Sequence, residues 1–555
     1  MSIFSSVPIT KLSRSTFNLD HENKLSFNFG GLYPILCQTV LPGDKMSLGI
    51  QSFVRTVPLL SPVMHRNDIK IDSFFVPMRL IWDKSEEFLQ CSDPTLHMPT
   101  VGFSTAWDNH EYDYSSQWNF FQGVGSLADY LGFASCDYST CINDAFGKMS
   151  DRVLNALPFR TYQLIYDYYY RNKTLEPSIL DDPYYDIKSS QDLKFSTGTD
   201  PNTKHFAIKL RSWRRDVFTS ALPDPQKGNP VLMPTGDIVS DGAFHFDYDG
   251  SSSHESKQLL YDTNSAKYTR DANSGTNPSG VGGQIYSKGL KIDSPTIEDF
   301  RYAEVLEEYE EALARSGAGN TGTFKEWLLA IWRTLSPDAR LDRPEYLGGY
   351  RGPIQISEVP QTSAATSTSA QGTLAGKGLS VGGQLLFKNK HFKEAGYLMV
   401  IMSVVPKSAY FQGDPRQFLY SNPYDFPNPY FANLGEQEVY TQEVCAAKSI
   451  YQSDQQKTFG YQVRNYEMKQ IPDQIHGDLR SSLLYWHEGR IFDDDPDSAT
   501  TVNLNSNFVK MNPLEVSRIF PSSETSNKLI GEFFFNFRAK RSLPYYGVPR
   551  VGHTK

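Results

Sequence analysis

FAIKLRSWRRDVFTSALPDPQKG, residues 206–228, changes character three times within a short span. Ile208 and Leu210 alternate with polar residues, the pattern of a strand with one buried face. Arg211, Arg214 and Arg215 then surround Trp213. The stretch closes on Pro223-Asp224-Pro225-Gln226-Lys227-Gly228, where two prolines and a glycine exclude regular structure. Beyond it the chain is polar and rich in Gly and Ser until Lys291, whereas the segments on either side are aromatic-rich. The stretch therefore reads as the exit from a main body, residues 1–228 and 292–555, into an insertion at 229–291.

The flanking text is strand-like. Leu25, Phe27 and Phe29 alternate, Ile35 to Val40 forms a run closed by the turn sequence Leu41-Pro42-Gly43-Asp44, and further runs span Leu48 to Val57 and Ile69 to Val76. Tyr397 to Val405 is the longest apolar run; at about half the length a membrane helix needs, it reads as a strand buried on both faces. Strands are also expected at Thr458 to Tyr466 and Leu529 to Phe537. Helical spacing is confined to Thr161–Asn172, a segment opening at Thr296 with a capping-box-like Asp299, and Phe324 to Leu335. Gln361 to Gly378, nearly free of charge, reads as a loop or arm. Strands do not alternate with helices and no repeat is visible, so a doubly wound design is excluded. The expected fold is all-β, one sandwich with long elaborated loops. Loops of such length make sense where neighbouring subunits cover them.

Composition narrows the function. The chain has 555 residues, 39% hydrophobic and 13% aromatic, enough for a sizeable core. A net charge of −9 is the wrong sign for a protein that neutralises a genome alone. Cys37, Cys91, Cys136, Cys141 and Cys445 are odd in number and scattered, and read as reduced thiols of a protein made in a cytoplasm. The N-terminus shows no signal-peptide h-region.

No chemistry-bearing constellation emerges. Gly123-Val124-Gly125-Ser126-Leu127-Ala128 fits a dinucleotide fingerprint in letters, but no strand leads into it. His487-Glu488 lacks the second His of a zinc-protease motif. His476 and Asp478 read as a solvated turn, and Asp493 to Asp497 as a solvated acidic loop without EF-hand spacing. No catalytic residue, metal or cofactor is expected. Tyr166, Tyr168, Tyr169 and Tyr170 suit either an interface or packing under the next loop.

Two basic-aromatic patches remain. One is Arg211, Trp213, Arg214 and Arg215. The other is the C-terminus FRAKRSLPYYGVPRVGHTK, where Arg538, Lys540, Arg541, Tyr545 and Tyr546 lie in a tail without a carboxylate side chain from Phe533 onward. Cations along phosphates with rings beneath bases is how single-stranded nucleic acid is held. Inter-subunit ion pairs with interface aromatics are the alternative use of the same residues.

Several blocks carry a family resemblance: RSWRRDVFTSALPDPQKG (211–228), LPGD (41–44), FFVPMRLIWDKSEEF (74–88), LPFRTYQLIYDYYYRNK (157–173), SPDARLDRPEYLGG (336–349), FGYQVRNYEMK (459–469) and LRSSLLYWHEGRIF (479–492). They resemble the major capsid proteins of microviruses, small single-stranded-DNA bacteriophages, and most of all the gokushovirus branch. The resemblance implies an eight-stranded antiparallel jelly roll with large inserted loops and a few helices. It implies a structural virion protein, not an enzyme, that is assembled in the bacterial cytoplasm into a T=1-like icosahedral shell around circular single-stranded DNA. Implied partners are further copies of the chain, the genome, a small basic DNA-binding protein, an internal scaffolding protein, a minor pilot protein and a host-cell receptor, without membrane insertion. The insertion would form a protrusion at the threefold axes that meets the host. A carbohydrate-binding or carbohydrate-active β-sandwich is the alternative, for which no carboxylate pair can be singled out.

Overall fold

The computed structural model describes residues 14–103, 123–135, 154–195, 201–224, 296–316, 327–334, 342–360, 374–432, 434–446, 457–492, 502–521 and 527–546, together with the strands between 238 and 292 named below. The chain divides into two compact units, one made of residues 1–225 with 337–555, the other Gln226–Ser336.

The first unit is built on nine strands: β1 Ser15–Asn18, β2 His21–Phe27, β3 Tyr33–Val40, β4 Lys45–Thr56, β5 Asn67–Pro77, β6 Glu345–Pro360, β7 Leu374–His391, β8 Gly396–Pro406 and β9 Leu529–Arg541. They pair antiparallel in the order β1-β9-β4-β7-β6-β5-β8-β3, with β2 also on β9. The sheet curls until its inner faces meet. Met46, Leu48, Ile50 and Val54 of β4 and Phe533, Phe535 and Phe537 of β9 share one core with Ile69 and Ile71 of β5 and Leu398, Val400 and Met402 of β8. The fold is thus the expected all-β, jelly-roll-like sandwich.

Side-chain period explains which strands have a wet face. β4 and β9 alternate, placing Lys45, Gln51, Arg55, Asn536, Arg538 and Lys540 in solvent opposite their apolar partners. β8 does not alternate: all of its residues are buried. Its Leu398, Val400 and Met402 face the sandwich, while Tyr397, Met399 and Ile401 face a second core beneath helix α1, Leu157–Ile165. Pro158 lies in the first turn of α1, where its missing N–H has no intrahelical acceptor to lose. The helix starts with Pro158 in its first turn, as the sequence suggests, and leaves through a wide turn, Arg171 N donating to Tyr166 O at 2.9 Å.

Several expectations change. Ile208–Leu210 is not a strand; Leu32 N donates to Lys209 O and Arg211 N to Gly30 O, so the segment only bridges the bend at Gly30–Leu32. β6 and most of β7 carry too many glycines to be legible as strands, and Leu374 to Gly378 of the expected loop belongs to β7; residues 361–373 lie outside those described. Gly348 shows why glycine is required there, since a Cβ at this position would stand 2.1 Å from Leu386 O.

The second unit is not merely turns. Phe244–Asp247, Lys257–Asp262, Lys267–Arg270 and Gln284–Ser287 form a four-stranded sheet, and Lys291–Ile292 pairs with Ile238–Val239. The unit also runs past the boundary at 291 read from sequence and includes helix α2, Ile297–Ser316. α2 opens on the expected box: Thr296 N donates to Asp299 Oδ2 at 2.8 Å and Asp299 N to Thr296 Oγ1 at 3.2 Å. The helix expected from Phe324 is, among the described residues, a single wide turn at Leu328–Trp332.

Leu398→Ala and Met399→Ala, on opposite faces of β8, are each expected to cost about 2–5 kcal/mol in denaturant unfolding. Ile530→Ala, on the wet face of β9, should stay within roughly 0.5 kcal/mol. A near-neutral Met399→Ala would mean that the second core does not bear on β8.

Candidate nucleic-acid interface

The structure does not bring the two patches together as two surfaces; it sorts their residues individually. Arg211 is engaged inside the body. Its Nη1 lies 3.2 Å from Asp72 Oδ2 and 2.8 Å from Ser403 Oγ, and its guanidinium lies 5.1 Å from the Tyr170 ring. Tyr170 donates its hydroxyl to the same Asp72 oxygen at 2.9 Å. Burial, with the Asp72 carboxylate alongside, holds the Tyr170 phenol far above its ordinary range. Trp213 is buried with the Arg490 guanidinium 5.1 Å over its ring. Arg490 is itself buried, paired with Glu515 at 3.3 Å and donating to Phe508 O. Only Arg214 and Arg215 of the first patch are exposed, and among the described residues neither has an ion-pair partner.

The tyrosine cluster is sorted likewise. Tyr166 donates to Glu176 at 2.8 Å, and Tyr169, partly exposed, donates to Pro344 O at 2.6 Å while packing on Phe74. Tyr166, Tyr169 and Tyr170 each bond to a neighbouring segment, while Tyr169 keeps 40% of its surface in solvent.

In the C-terminal patch Arg541 is structural. Its Nε lies 3.1 Å from Asp44 Oδ2 and its Nη2 donates to Thr39 O. Asp44 is buried in the Leu41–Asp44 turn, where Gly43 has φ +86° and Leu41 N donates to the Asp44 carboxylate. This ion pair ties the end of β9 to the β3–β4 turn. Arg538 and Lys540 point the other way, into solvent. Register adds residues that linear reading missed: Lys540 stands directly opposite Lys45, which is opposite His391 on its other side, and Thr16 completes the row. Lys45 lies almost the whole chain away from Lys540, so only strand pairing reveals the juxtaposition. Among the described residues neither lysine has an ion-pair partner. Tyr545 and Tyr546 are exposed, edge to face at 4.9 Å, and Tyr545 stacks on Phe17 at 5.8 Å.

His487 is buried, its Nε2 2.7 Å from Leu479 O, and Glu488 accepts from Asn67 Nδ2 at 2.8 Å. Burial pushes the Glu488 carboxyl up to about 7. His476 and Asp478 lie on an exposed turn, and Gly123–Ala128 forms a turn capped by Ser126 into one helical turn. Asp493 to Asp497 lies outside the described residues. Among the described residues no group of three or more His, Cys, Asp or Glu is placed to hold a metal ion, and no helix is long and apolar enough to cross a membrane.

The family profile described as capsid protein (F protein) matches residues 5–551. The chain belongs to this phage capsid protein family. The capsid protein is similar throughout its length to proteins called capsid protein VP1: 29% identical to that of Bdellovibrio phage phiMH2K, 28% to that of Chlamydia phage 1 and 25% to that of Spiroplasma virus 4. In each comparison 98% of this chain and 97% of the relative are covered. It is a structural virion component of a microvirus, and nothing in the fold or in these similarities supports the carbohydrate alternative.

Arg211→Ala strands the Asp72 carboxylate and is expected to destabilise the capsid protein by roughly 3 kcal/mol, read by thermal or denaturant unfolding. Arg214→Ala with Arg215→Ala should leave unfolding within about 0.5 kcal/mol. Equal effects would contradict the division of this patch into an internal clamp and a surface pair.

Proposed function

We propose that copies of this chain assemble into a small, T=1-like icosahedral shell around a circular single-stranded DNA genome, and that the row formed by Lys45, Arg538 and Lys540 faces that genome. The observation that carries the DNA reading is the pair Lys45 and Lys540. Like charges directly opposite each other on neighbouring strands destabilise a sheet. Such a pair is relieved when an anion lies between the two ammonium groups, and a phosphate chain supplies one. Exposed Tyr545 and Tyr546 near the end of the same strand offer faces for bases. Arg214 and Arg215 are a second, smaller candidate. The acidic total of the chain calls for a separate small basic protein to neutralise most of the genome. A scaffolding protein during assembly and a pilot protein complete the partners that the resemblance suggests.

The compact unit Gln226–Ser336 is read as the part offered to the host cell. Its Gly/Ser-rich sequence gives it little apolar material for a large core, and exposed loops of this kind commonly carry recognition.

Shell formation is tested by electron microscopy of particles from infected cells. Replacing Lys45, Arg538 and Lys540 with Ala should leave shells forming but lower their DNA content. It should also reduce the slope of log affinity for single-stranded oligonucleotide against log salt by about 2. Unchanged DNA content and slope would remove the row from the genome contact.

Replacing Asn229 to Lys291 with a short Gly/Ser linker should leave shells assembling while adsorption to host cells falls. Adsorption equal to that of the parent would refute the recognition role, and loss of shells would assign the segment to the shell itself.

A further inference from the structure

The segment Gln417–Leu434, QFLYSNPYDFPNPYFANL, has no lysine or arginine and one acid, Asp425. It leaves large apolar side chains in solvent: Phe418 is 74% exposed, Tyr424 77%, Phe426 66% and Tyr430 92%. Isolated exposed rings need no explanation, but four within thirteen residues form a ridge.

The ridge is rigid. The Asp425 carboxylate accepts from Ser421 N at 3.0 Å and Asn422 N at 2.9 Å, and the Asn428 side chain accepts from Tyr430 N at 3.0 Å. Pro423, Pro427 and Pro429 fix the intervening backbone. Tyr420 packs edge to face on Phe426, and Tyr424 on Phe431. Aromatic side chains held in place before contact lose little conformational freedom on binding, which is the property of an interface anchor.

Beside the ridge lies a hollow of about 530 Å³. Its apolar wall is Phe218, Met468, Ile471 and Pro472, and Met468 and Ile471 are exposed although nothing in the chain covers them among the described residues. Its charged floor is already satisfied, with Arg416 Nη1 3.2 Å from Glu443 Oε1 and the Tyr466 hydroxyl on the same carboxylate group. Tyr420 donates to Glu467 at 2.9 Å, so the root of the ridge is fixed to the rim of the hollow. Ridge and hollow are therefore one patch with a set spacing.

We propose that this patch is a contact between copies of the chain, the Tyr424–Tyr430 ridge of one copy seating in the Arg416–Gln474 hollow of the next. The chemistry selects a protein surface: aromatic enrichment with depletion of charge marks the centre of protein interfaces. A nucleic acid is disfavoured because the ridge has no cation to meet a phosphate. A second copy is the occupant because the chain builds its shell from copies of itself, and because one patch that carries both a knob and a hole can pair with itself. The inference rests on the reading that copies of this chain build a shell.

The test uses phage genomes encoding Phe426→Ala with Tyr430→Ala. Soluble capsid chain should accumulate normally while particles, measured by gradient sedimentation, fall at least tenfold. Particle yield within twofold of the parent overturns the proposal, and normal particles that fail to adsorb overturn it in favour of a host ligand on the ridge. Should the double variant not fold, particles made from a mixture of Tyr430→Cys chains and Met468→Cys chains decide the matter. A short thiol crosslinker is expected to give a dimer band that neither variant gives alone, and its absence overturns the contact. A parent genome yielding no particles would instead refute the shell reading itself.

Discussion

The architecture depends on β8 being apolar on both faces. A strand with one wet face supports one core. Because Leu398, Val400 and Met402 alternate with Tyr397, Met399 and Ile401, the strand closes the sandwich on one side and seats α1 on the other. The helix in turn positions Tyr162, whose hydroxyl donates to Leu32 O at 2.9 Å, and Tyr170, which reaches Asp72 in the neighbouring strand β5. The Asp72–Arg211 pair then anchors the segment that leaves for the second unit. A chain of contacts thus runs from one apolar strand to the exit point of the insertion.

The strands easiest to read in the sequence were those whose burial is simplest. β3, β4, β5 and β8 show clean alternation or a continuous apolar run, and the capping box of α2 is written in Thr296 and Asp299. β6 and β7 were illegible because their pairing depends on glycines such as Gly348, which sequence rules count against strands, although here they allow backbone to approach backbone. The insertion hid its small sheet for a related reason: strands of four to six residues between Gly/Ser turns carry too short a period to stand out. Candidate binding residues were legible as types and not as roles. Nothing in the letters separates Arg211, paired with Asp72, from Arg214 three positions on, or Arg541, paired with Asp44, from Lys540 beside it. The partner of each is remote in sequence.

That sorting has a pattern. Arginines paired with buried or partly buried carboxylates tie strands and turns together, at Asp72, Asp44, Glu443 and Glu515. Arginine's planar fork suits such fixed geometry. The lysines of the same sheet, Lys45 and Lys540, remain in water with no anion of their own among the described residues. Around these contacts the guanidinium groups act as tethers, while the ammonium groups of Lys45 and Lys540 stay at the surface.

The pairing of β9 has a consequence for how the protein is made. Its residues 529–541 lie between β4 on one side and β1 and β2 on the other, all from the first 56 residues. Until residues 529–541 are in place those early strands have open edges, so closing the sandwich waits on a contact between segments hundreds of residues apart. Pairing this non-local is slow to form, and a variant whose β9 cannot pair leaves strand edges exposed to other chains.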